Sequence, residues 1–462
     1  MTNKIAHPLL LISALTMAHI NSLPGTFQFD DYNVIVNNSL VHSWSAWLAD
    51  LPHGIRPFLK LTYTFNWTMG WGAFGFHLFN LAVHAGNTLL VYAIAGRILR
   101  EQTAALSKPG TQMAAFLAAL LFAVHPVQTE AVTYICGRST SLMAFFYLAG
   151  FYAYQCGVEE NRGVLIYLAG PVLFVMAILT KEVAVTLPAA LLLWEACRRD
   201  RGQDKGKPAA LLRRQGIYWL LLGVLLAAML YHPRYWGLLE FSAETRPLRQ
   251  NILSQINGIC YLVSRFLWLP GLNIDPDLPV ISRWTPLLSL QAATLIFTLV
   301  LGMVAVKKKP WLGFGILWFF LHLLPTNSII PRLDIANERQ LYLSGVGLYL
   351  LAGQGANLLY ERMPQGKSFV RWGLALVFFV LIATTIQRNH AYQNEIALWQ
   401  DTVQKSPHKA RVYNNLGYAF FLAGRYGEAR EAYTVALRIR PDWALPRNNL
   451  TAIETALKRR KL

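Results

Sequence analysis

Residues 286–306 read PLLSLQAATLIFTLVLGMVAV, and three lysines, Lys307 to Lys309, follow directly. This run carries no charged side chain. As an α-helix it reaches about 30 Å, the thickness of the hydrocarbon core of a bilayer. Inside a bilayer the backbone polar groups have to be satisfied within the segment, so an apolar run of this length predicts a membrane-spanning helix. We therefore predict an all-α fold that is anchored in a membrane.

The composition of the whole chain is typical of a multi-span membrane protein. Of its 462 residues, 54% are hydrophobic and 14% are charged, which is too apolar for a soluble protein of this size. The net charge of +18 is carried largely by short loops between apolar segments. Such a distribution sets the orientation in a membrane, so nucleic acid is not an expected partner. The cysteines lack metal-ligand spacing and are expected to be small buried side chains: Cys136, Cys156, Cys197 and Cys260.

About eleven segments are apolar and long enough to be transmembrane helices. Their centres lie near residues 16, 86, 119, 148, 171, 190, 223, 296, 318, 350 and 379. The Lys/Arg-rich loops all face the cytoplasm only if residues 251–269 do not cross the membrane, so this segment is predicted to be a partly inserted helix on the outer side. The first segment has no convincing cleavage site and is predicted to be retained. The N-terminus is then cytoplasmic and the C-terminus lies on the outer face.

An acidic pair, Asp30 and Asp31, follows the first apolar segment. Carboxylates at the edge of a bilayer are costly unless a site uses them. Adjacent like charges also raise each other's pKa, which suits a group that accepts a proton near neutral pH. The structural alternative is a solvated loop with an Asx turn. The pair alone does not separate the two interpretations.

Further polar residues interrupt the apolar sequence on the predicted outer face, where plain linkers would suffice. Ionisable groups this close to a span usually face a polar cavity and not lipid. Arginine and lysine near the headgroup plane are natural partners for a phosphate group. The residues concerned are Arg56, His125, Glu130, Arg138, Lys181, Glu182, Glu338, Arg339 and Tyr342.

These residues also have structural alternatives. Lys181 and Glu182 could form a self-neutralising turn, and Arg138 and Arg339 could be anchors at the membrane surface. The sequence contains no glycine-rich phosphate loop, nucleophile elbow or Cys/His metal array, so no metal site is predicted. One polar stripe on the second apolar segment is more typical of hydrogen bonds between helices than of a metal site: His77, Asn80, His84 and Asn87.

The tail, residues 390–462, is soluble in character and repeats itself at an interval of 34 residues, with Trp399 matching Tyr433. One complete unit has the tetratricopeptide pattern: Tyr413, Leu416, Gly417, Phe420, Gly424, Tyr426, Ala429, Tyr433, Ala436 and Pro441. Additional helices are predicted at 394–406 and 444–459. Fewer than three units rarely form a free-standing array, so the tail is expected to pack on the membrane domain, residues 1–389, or on a partner. It is either a folding cap or a docking site for an acceptor polypeptide.

The order of these features resembles the transmembrane and tetratricopeptide-repeat-containing glycosyltransferases, a branch of the GT-C superfamily that includes eukaryotic O-mannosyltransferases and many bacterial proteins. The matching runs are Phe29-Asp30-Asp31-Tyr32, Arg56-Pro57 with Tyr63 and Asn66, His125 to Val132 with Gly137-Arg138, Lys181-Glu182, Pro325 to Ser328, Glu338 to Leu343, and Trp399 with Tyr413 to Gly417. Together they cover almost the full length. The family carries a long repeat array where this chain has barely two units, which points to a bacterial member.

The resemblance implies a GT-C-like fold and an inverting transfer of a sugar from a polyprenyl-phosphate carrier to an acceptor hydroxyl. This transfer would take place outside the cytoplasm, at a bacterial inner membrane with the repeat tail in the periplasm. Asp30 or Asp31 would be the base. The residues implied to hold the lipid phosphate are Arg138, Lys181 and Arg339, helped by Tyr342, His125 and Arg56. The residues implied to shape the site are Glu130, Glu182 and Glu338. Because this donor carries a single phosphate, no divalent metal and no other cofactor is predicted to be required.

Two other classes of function stay open at this point. A transporter of the lipid carrier would use the same cations but would not need a carboxylate base. A membrane-anchored scaffold would use the repeat alone and would not need polar groups on one face of the spans. Within the transferase class, the acceptor is either a secreted or surface protein, modified on Ser, Thr or Tyr, or a glycolipid; the repeat favours a protein.

Overall fold

The computed structural model describes residues 3–102, 108–198 and 208–460, which form helices joined by short loops, with no strand in these ranges. The all-α prediction is confirmed. The α-helices are α1 (Asn3–His19), α2 (Trp44–Asp50), α3 (Pro57–Met69), α4 (Gly72–Gln102), α5 (Lys108–Val124), α6 (Thr129–Val132), α7 (Arg138–Glu159), α8 (Gly170–Thr180), α9 (Leu187–Cys197), α10 (Pro208–Tyr231), α11 (Pro233–Thr245), α12 (Leu248–Leu267), α13 (Pro286–Lys308), α14 (Pro310–Leu323), α15 (Leu341–Arg362), α16 (Lys367–Ala391), α17 (Glu395–Lys405), α18 (Ala410–Leu422), α19 (Tyr426–Ile439) and α20 (Ala444–Arg460). Short 3-10 or π turns lie at Ile20–Ser22, Tyr32–Val36, Ser39–Val41, Pro126–Gln128, Ile135–Gly137, Leu165–Ala169, Glu182–Thr186 and Glu338–Gln340.

The centre of the molecule is a bundle in which α4, α5, α7, α14 and α15 pack side by side. Its interior is lined by large side chains such as Trp318 and Tyr147, both fully buried. Buried polar groups in the bundle bond across helices, as when the ring of His322 contacts the Tyr147 hydroxyl at 2.8 Å. Such bonds give polar side chains the partners that lipid does not supply.

The described residues contain five helices that are long and apolar enough to span a membrane: α1, α4, α10, α13 and α16. A sixth is added if α5 is counted together with the segment Pro126–Val132, across a bend of 51°. The predicted number of about eleven spans is therefore too high. The segments predicted near 190 and 318 are helices of only 11 and 14 residues. Those near 148 and 350 are long but carry polar side chains, which α7 and α15 bury against protein.

The tail folds as the repeat pattern predicts. Helices α17 and α20 occupy the two flanking segments, and α18 and α19 form the complete unit between them. Ala429 and Tyr433 of α19 are buried against α18. A Cβ on Gly417 would lie 2.7 Å from the ring of Tyr433, so only glycine permits this close approach.

The tail packs on the membrane domain, as expected for so short an array. Trp399 of α17 is buried, with its ring edge-on to Phe29 at a centroid distance of 5.0 Å. Asn273, in the loop between α12 and α13, donates a hydrogen bond to the hydroxyl of Ser406 at 2.7 Å. Helix α17, which precedes the complete repeat unit, therefore lies against the loop that carries Asp30 and Asp31.

Candidate active site

The two aspartates have different environments. Phe29 has a left-handed backbone, with φ of 47°, and this turn points the following residues into the protein. Asp31 is buried, and its two carboxylate oxygens accept backbone N–H bonds from Gln28 and Cys136, each at 2.9 Å. Burial raises the pKa of Asp31 to about 7, although these hydrogen bonds lower it in part. The loop that carries Asp30 and Asp31 is called the Asp loop. Asp31 joins this loop to the loop before α7, which is a structural role.

Asp30 is only partly buried and does not have this backbone cage. Its own N–H donates to the hydroxyl of Tyr134 at 3.1 Å. Burial raises the pKa of the Asp30 carboxyl, and the nearby positive charges of Arg339 and Arg411 offset part of that rise. A carboxylate that is accessible and has a raised pKa is suited to accept a proton near neutral pH. Of the two predicted bases, Asp30 has the geometry of the reactive one.

Arg339, whose charge acts on Asp30, lines a small cavity together with Lys181 and Arg332, which we call the cationic cavity. Its volume is about 30 Å³, and its neutral lining includes Thr140, Met143, Val183, His322, Thr326, Gln340 and Leu343. A cavity of this size accommodates about two water molecules. A phosphate group would therefore need the long side chains of the cavity to shift outward.

Two of the three cations lack a matching anion. Lys181 donates to the hydroxyl of Thr140 at 2.7 Å and to Ser139 at 3.4 Å. Among the residues that the structure describes, no carboxylate lies within ion-pair distance of Lys181 or Arg332. Burial and the positive charges of Arg339 and Arg56 lower the pKa of Arg332 to about 10, although the more distant Asp334 and Glu182 oppose this shift. Buried cations are costly unless paired, so this cavity favours an anion.

The third cation is held in place by a predicted site-shaping residue. Glu130 is buried and accepts the backbone N–H of Arg339 at 2.9 Å, while its other oxygen lies 3.4 Å from Nε of Arg339. This contact fixes the direction of the guanidinium, whose side chain remains 23% exposed. Glu130 and Arg339 were predicted from separate loops, and the structure brings them together.

Glu182 and Glu338 face away from the cavity towards other partners. Glu182 forms a two-pronged ion pair with Arg56, at 2.9 and 2.7 Å, and accepts a bond from Tyr235 at 3.2 Å. Lys181 and Glu182 are therefore not a self-neutralising turn. Glu338 is buried, accepts the N–H of Asn273 and lies 3.5 Å from Arg388, which also pairs with Asp401 of the tail. The Glu338 cluster thus joins the tail to the membrane domain.

Besides Arg56, which pairs with Glu182, three predicted phosphate-binding residues do not line the cavity. Tyr342 is buried and its hydroxyl bonds to His84 at 2.8 Å and to Asn87 at 2.9 Å. The polar stripe on α4 therefore holds helices together, as its spacing suggested. His125 accepts the N–H of Val127 and contacts the carbonyl of Phe266 at 3.1 Å.

Arg138 is the third of these residues, and its guanidinium is hydrogen-bonded to groups of the protein. It donates to Asn80 at 2.7 Å and to the carbonyls of Phe76 at 2.9 Å and Thr62 at 3.2 Å. It also lies over the ring of Phe79 at 4.4 Å. These contacts fix α3 and α4 against α7, and we assign Arg138 no part in ligand binding.

The change Arg138→Lys tests that assignment. Lysine keeps the charge but loses the planar fork, so acceptors on Asn80, Phe76 and Thr62 lose their partner inside the protein. We expect a loss of about 3 kcal/mol in stability, measured as a lower unfolding temperature in detergent. Affinity for a lipid phosphate, measured below that temperature, should stay the same. Weakened lipid-phosphate binding in a variant that is still folded would show that Arg138 contributes to ligand binding.

The sequence-based interpretation missed three charged groups. Arg332 and Asp334 lie in the loop between α14 and α15, and Arg411 lies in the tail. Arg411 donates to both Asp275 and Asp334, and the charge of Arg411 lowers the pKa of Asp334. Loop charges so far apart in sequence gave no spacing signal. Only the packing of the tail brings them together.

Replacing Arg411 by glutamine should loosen the loop that carries Arg332 and Arg339. Both Asp275 and Asp334 would lose this partner, at a cost of about 2 kcal/mol to tail docking. We expect faster exchange of the backbone amide hydrogens in residues 325–340 and a several-fold loss of the sugar transfer that the sequence predicts. The matched control is Arg425→Gln, which breaks an exposed ion pair with Glu428 on the same tail and should change neither quantity. Unchanged exchange in Arg411→Gln would show that the tail does not hold this loop.

Comparisons with known proteins find a repeat within the tail and similar proteins over most of the chain. Residues 410–443 match the family model described as "Tetratricopeptide repeat". The chain is 28% identical over 456 residues to protein O-mannosyl-transferase Tmtc3 of Drosophila melanogaster. It is 25% identical to a protein O-mannosyl-transferase of Caenorhabditis elegans and 25% identical to protein O-mannosyl-transferase TMTC1 of Homo sapiens. The chain is thus similar, at 25–28% identity, to proteins named protein O-mannosyl-transferases.

These alignments cover most of this chain but only part of each relative. They span 84%, 95% and 96% of the chain, and 48%, 63% and 56% of the fly, worm and human proteins. The chain therefore spans about half the length, or somewhat more, of the curated relatives it matches. No solved structure is significantly similar to it. The apolar helices together with these relatives identify a multi-pass membrane protein.

Proposed function

We propose that the protein is a GT-C-type glycosyltransferase, which moves a sugar from a polyprenyl-phosphate carrier to a hydroxyl group of a protein. Its relatives are named protein O-mannosyl-transferases, which supports sugar transfer to protein and makes mannose the first sugar to test. The observation that carries the proposal is one partly exposed carboxylate, Asp30, within electrostatic range of Arg339, which lines a cavity together with Lys181 and Arg332. The proposed location is a bacterial inner membrane, with the site and the repeat tail on the periplasmic side.

In the proposed step, the acceptor oxygen attacks the anomeric carbon from the face opposite the phosphate. The acceptor O–H proton passes to the Asp30 carboxylate as the new O–C bond forms. The bond between the anomeric carbon and the phosphate oxygen breaks, and its electron pair leaves with the polyprenyl phosphate. Lys181, Arg332 and Arg339 stabilise the negative charge on that leaving group. The configuration at the anomeric carbon is inverted.

The repeat tail gives a reason to prefer a protein acceptor over a glycolipid. Repeats of this class present extended concave surfaces to polypeptides, and here the repeat lies over the Asp loop through Trp399 and Phe29. An acceptor segment bound by the tail would therefore be held close to Asp30. We propose that docking is one role of the tail, in addition to holding the loop that carries the cations.

The direct experiment is transfer by the purified chain in lipid nanodiscs. The donor is a radiolabelled mannosyl phosphate of a polyprenol, and the acceptors are secreted proteins from the source organism and, separately, a glycolipid fraction. Label on protein supports the proposal, and mass spectrometry then gives the sugar and the modified residue. Label on the glycolipid alone would overturn the protein acceptor. Donor that is bound and moved between leaflets without transfer would favour a transporter.

A further inference from the structure

A second cavity, of about 500 Å³, lies at the opposite end of α8 from Lys181. It is bordered by the end of α7, the turns that precede α8 and the start of α10. We call it the α10 cavity, and the polar and aromatic side chains that line it are Asn161, Tyr167, Arg213 and Arg214. The helical run from Gly163 at this cavity to Thr180 beside Lys181 rises about 25 Å. The α10 cavity is therefore separate from the candidate active site.

The wall of the α10 cavity is fixed by close packing of the backbone. A Cβ on Gly157 would lie 2.6 Å from Cγ1 of Ile166, which favours glycine where the end of α7 meets the following turn. Asn161 has a left-handed backbone, with φ of 53°, a conformation that asparagine tolerates better than most residues. The N–H of Arg162 then bonds to the carbonyl of Gly157 at 2.8 Å. The cavity is thus formed before any ligand binds, as binding sites usually are.

The two arginines that line the α10 cavity differ in their partners. Nε of Arg214 lies 3.2 Å from Oε1 of Glu195, and the same oxygen accepts the hydroxyl of Tyr154 at 2.9 Å. This buried carboxylate also lies 3.5 Å from Arg198, so two guanidinium groups share it. Arg213 is exposed, and no carboxylate of the described residues lies within ion-pair distance of it. An anion in the cavity would face one guanidinium that is held in place and one that has no counter-ion.

The carboxylates at the end of α7 do not compensate the charge of Arg213. Glu159 and Glu160 both pair with Arg97, and Glu160 also lies 3.2 Å from Arg162. These pairs use both carboxylates on other arginines. The α10 cavity therefore keeps an excess of positive charge, which attracts an anionic ligand.

The surface around the α10 cavity indicates contact with lipid. Helix α10 is long and apolar enough to span a membrane, and residues 215–231 carry no charged side chain. Arg213 and Arg214 come directly before this run, which places them at the depth of lipid headgroups. Val164 and Leu212, next to lining residues in the chain, are 68% and 70% exposed, as expected where acyl chains replace water. A phospholipid brings acyl chains to this surface, whereas a free phosphate ion does not.

We propose that the α10 cavity binds the headgroup of an anionic phospholipid, with the phosphate of the lipid on Arg213 and Arg214. Guanidinium groups bind phosphate oxygens through strong, charge-assisted hydrogen bonds. The basic segment that leads into α10 is predicted to face the cytoplasm, and anionic lipids concentrate in that leaflet. The bound lipid would hold α10 against α7 and α8. Lipid binding here is independent of sugar transfer, because the α10 cavity shares no lining residue with the cationic cavity.

The test is native mass spectrometry of the full chain with phosphatidylglycerol, which is anionic, and with phosphatidylcholine, which is zwitterionic. Arg213→Gln removes the unpaired charge and should weaken phosphatidylglycerol binding about tenfold. The unfolding temperature in lipid-free detergent should stay the same, because the side chain is exposed and unpaired. The matched control is Arg371→Gln: Arg371 is also exposed in the first turns of an apolar helix, α16, but does not line the α10 cavity. This control should leave lipid binding unchanged.

Equal losses of binding in the two variants would show that the lipid responds only to the overall positive charge, and would overturn the proposal. Equal affinity of the unchanged protein for phosphatidylcholine would do the same. Inorganic phosphate and glycerol phosphate separate a lipid from a free ion. If either of them displaced phosphatidylglycerol at an equal concentration, the lipid would not be the ligand that the cavity selects.

The position of the lipid gives a second readout. Phosphatidylglycerol with a photoreactive group on its headgroup is irradiated with the protein in phosphatidylcholine nanodiscs, and the labelled peptides are mapped by mass spectrometry. We expect label within residues 157–167 and 208–214, reduced about tenfold in Arg213→Gln and unchanged in Arg371→Gln. Label confined to other parts of the chain would overturn the proposal.

Discussion

Replacing Asp30 by asparagine is expected to reduce sugar transfer by a factor of about 100 to 10,000, the range for loss of a general base. Asparagine has nearly the same shape and cannot take the acceptor proton. The side chain is partly exposed and has no backbone cage, so the fold should tolerate the change. Donor affinity should be unchanged or slightly higher, because a negative charge near the phosphate site is removed. Initial rates of transfer and donor binding to the same preparation measure the two quantities.

Asp31→Asn is the matched control for this prediction. Its amide can accept only one of the two N–H bonds that Gln28 and Cys136 now donate to the carboxylate. We expect a lower unfolding temperature, with transfer falling only as far as the folded fraction does. If Asp30→Asn kept full activity while Asp31→Asn, still folded, lost it, the two roles would have to be exchanged. Full activity in both variants would remove the carboxylates from the mechanism.

The second large effect concerns the unpaired cations. Arg332→Gln and Lys181→Met should each lower kcat/KM for the lipid donor by about 100-fold, since each removes one charge that stabilises the leaving phosphate. The same changes should leave the unfolding temperature unchanged or raise it, because a buried charge without a partner is removed. A residue kept for structure would show the opposite pattern, as Arg138→Lys is expected to do. Transfer kinetics and thermal unfolding of the same samples give both readouts.

Loss of stability together with activity would contradict this interpretation of the cavity. It would mean that Lys181 and Arg332 support the fold. Adding inorganic phosphate provides a further check. Phosphate should raise the unfolding temperature of the unchanged protein and have less effect on either variant.

The sequence predicted the helical fold and the repeat tail because both depend on local periodicity. The number of spans was overestimated, since apolar composition alone does not separate a helix that faces lipid from one that is buried in protein. Helix α7 illustrates the point: it is long and almost wholly buried, and it accommodates Ser141 and Gln155 inside the bundle. Helix α9 is apolar but too short to span a bilayer.

The site was predictable in part for a related reason. A charged residue beside an apolar segment indicates a polar environment, and on that basis Asp30, Lys181 and Arg339 were chosen from three distant loops. The direction of a side chain has no such signal. Arg138 and Tyr342 have the same kind of sequence setting, yet their polar atoms bond between helices. The sequence does not predict a binding role for Arg332, because the short run Pro331-Arg332-Leu333-Asp334 resembles an ordinary surface loop.

The contact of Trp399 with Phe29 has a consequence for biosynthesis. A ribosome releases the loop that carries Asp30 and Asp31 well before residues 390–462, so the nascent protein carries these carboxylates long before Arg411 and Trp399 exist. Until the helices of the tail have been translated and have packed on the membrane domain, the segment with Arg332 and Arg339 lacks the ion pair between Asp334 and Arg411. Under the proposed function, the residues of the cationic cavity would then be held in place only after α18, which carries Arg411, has been translated.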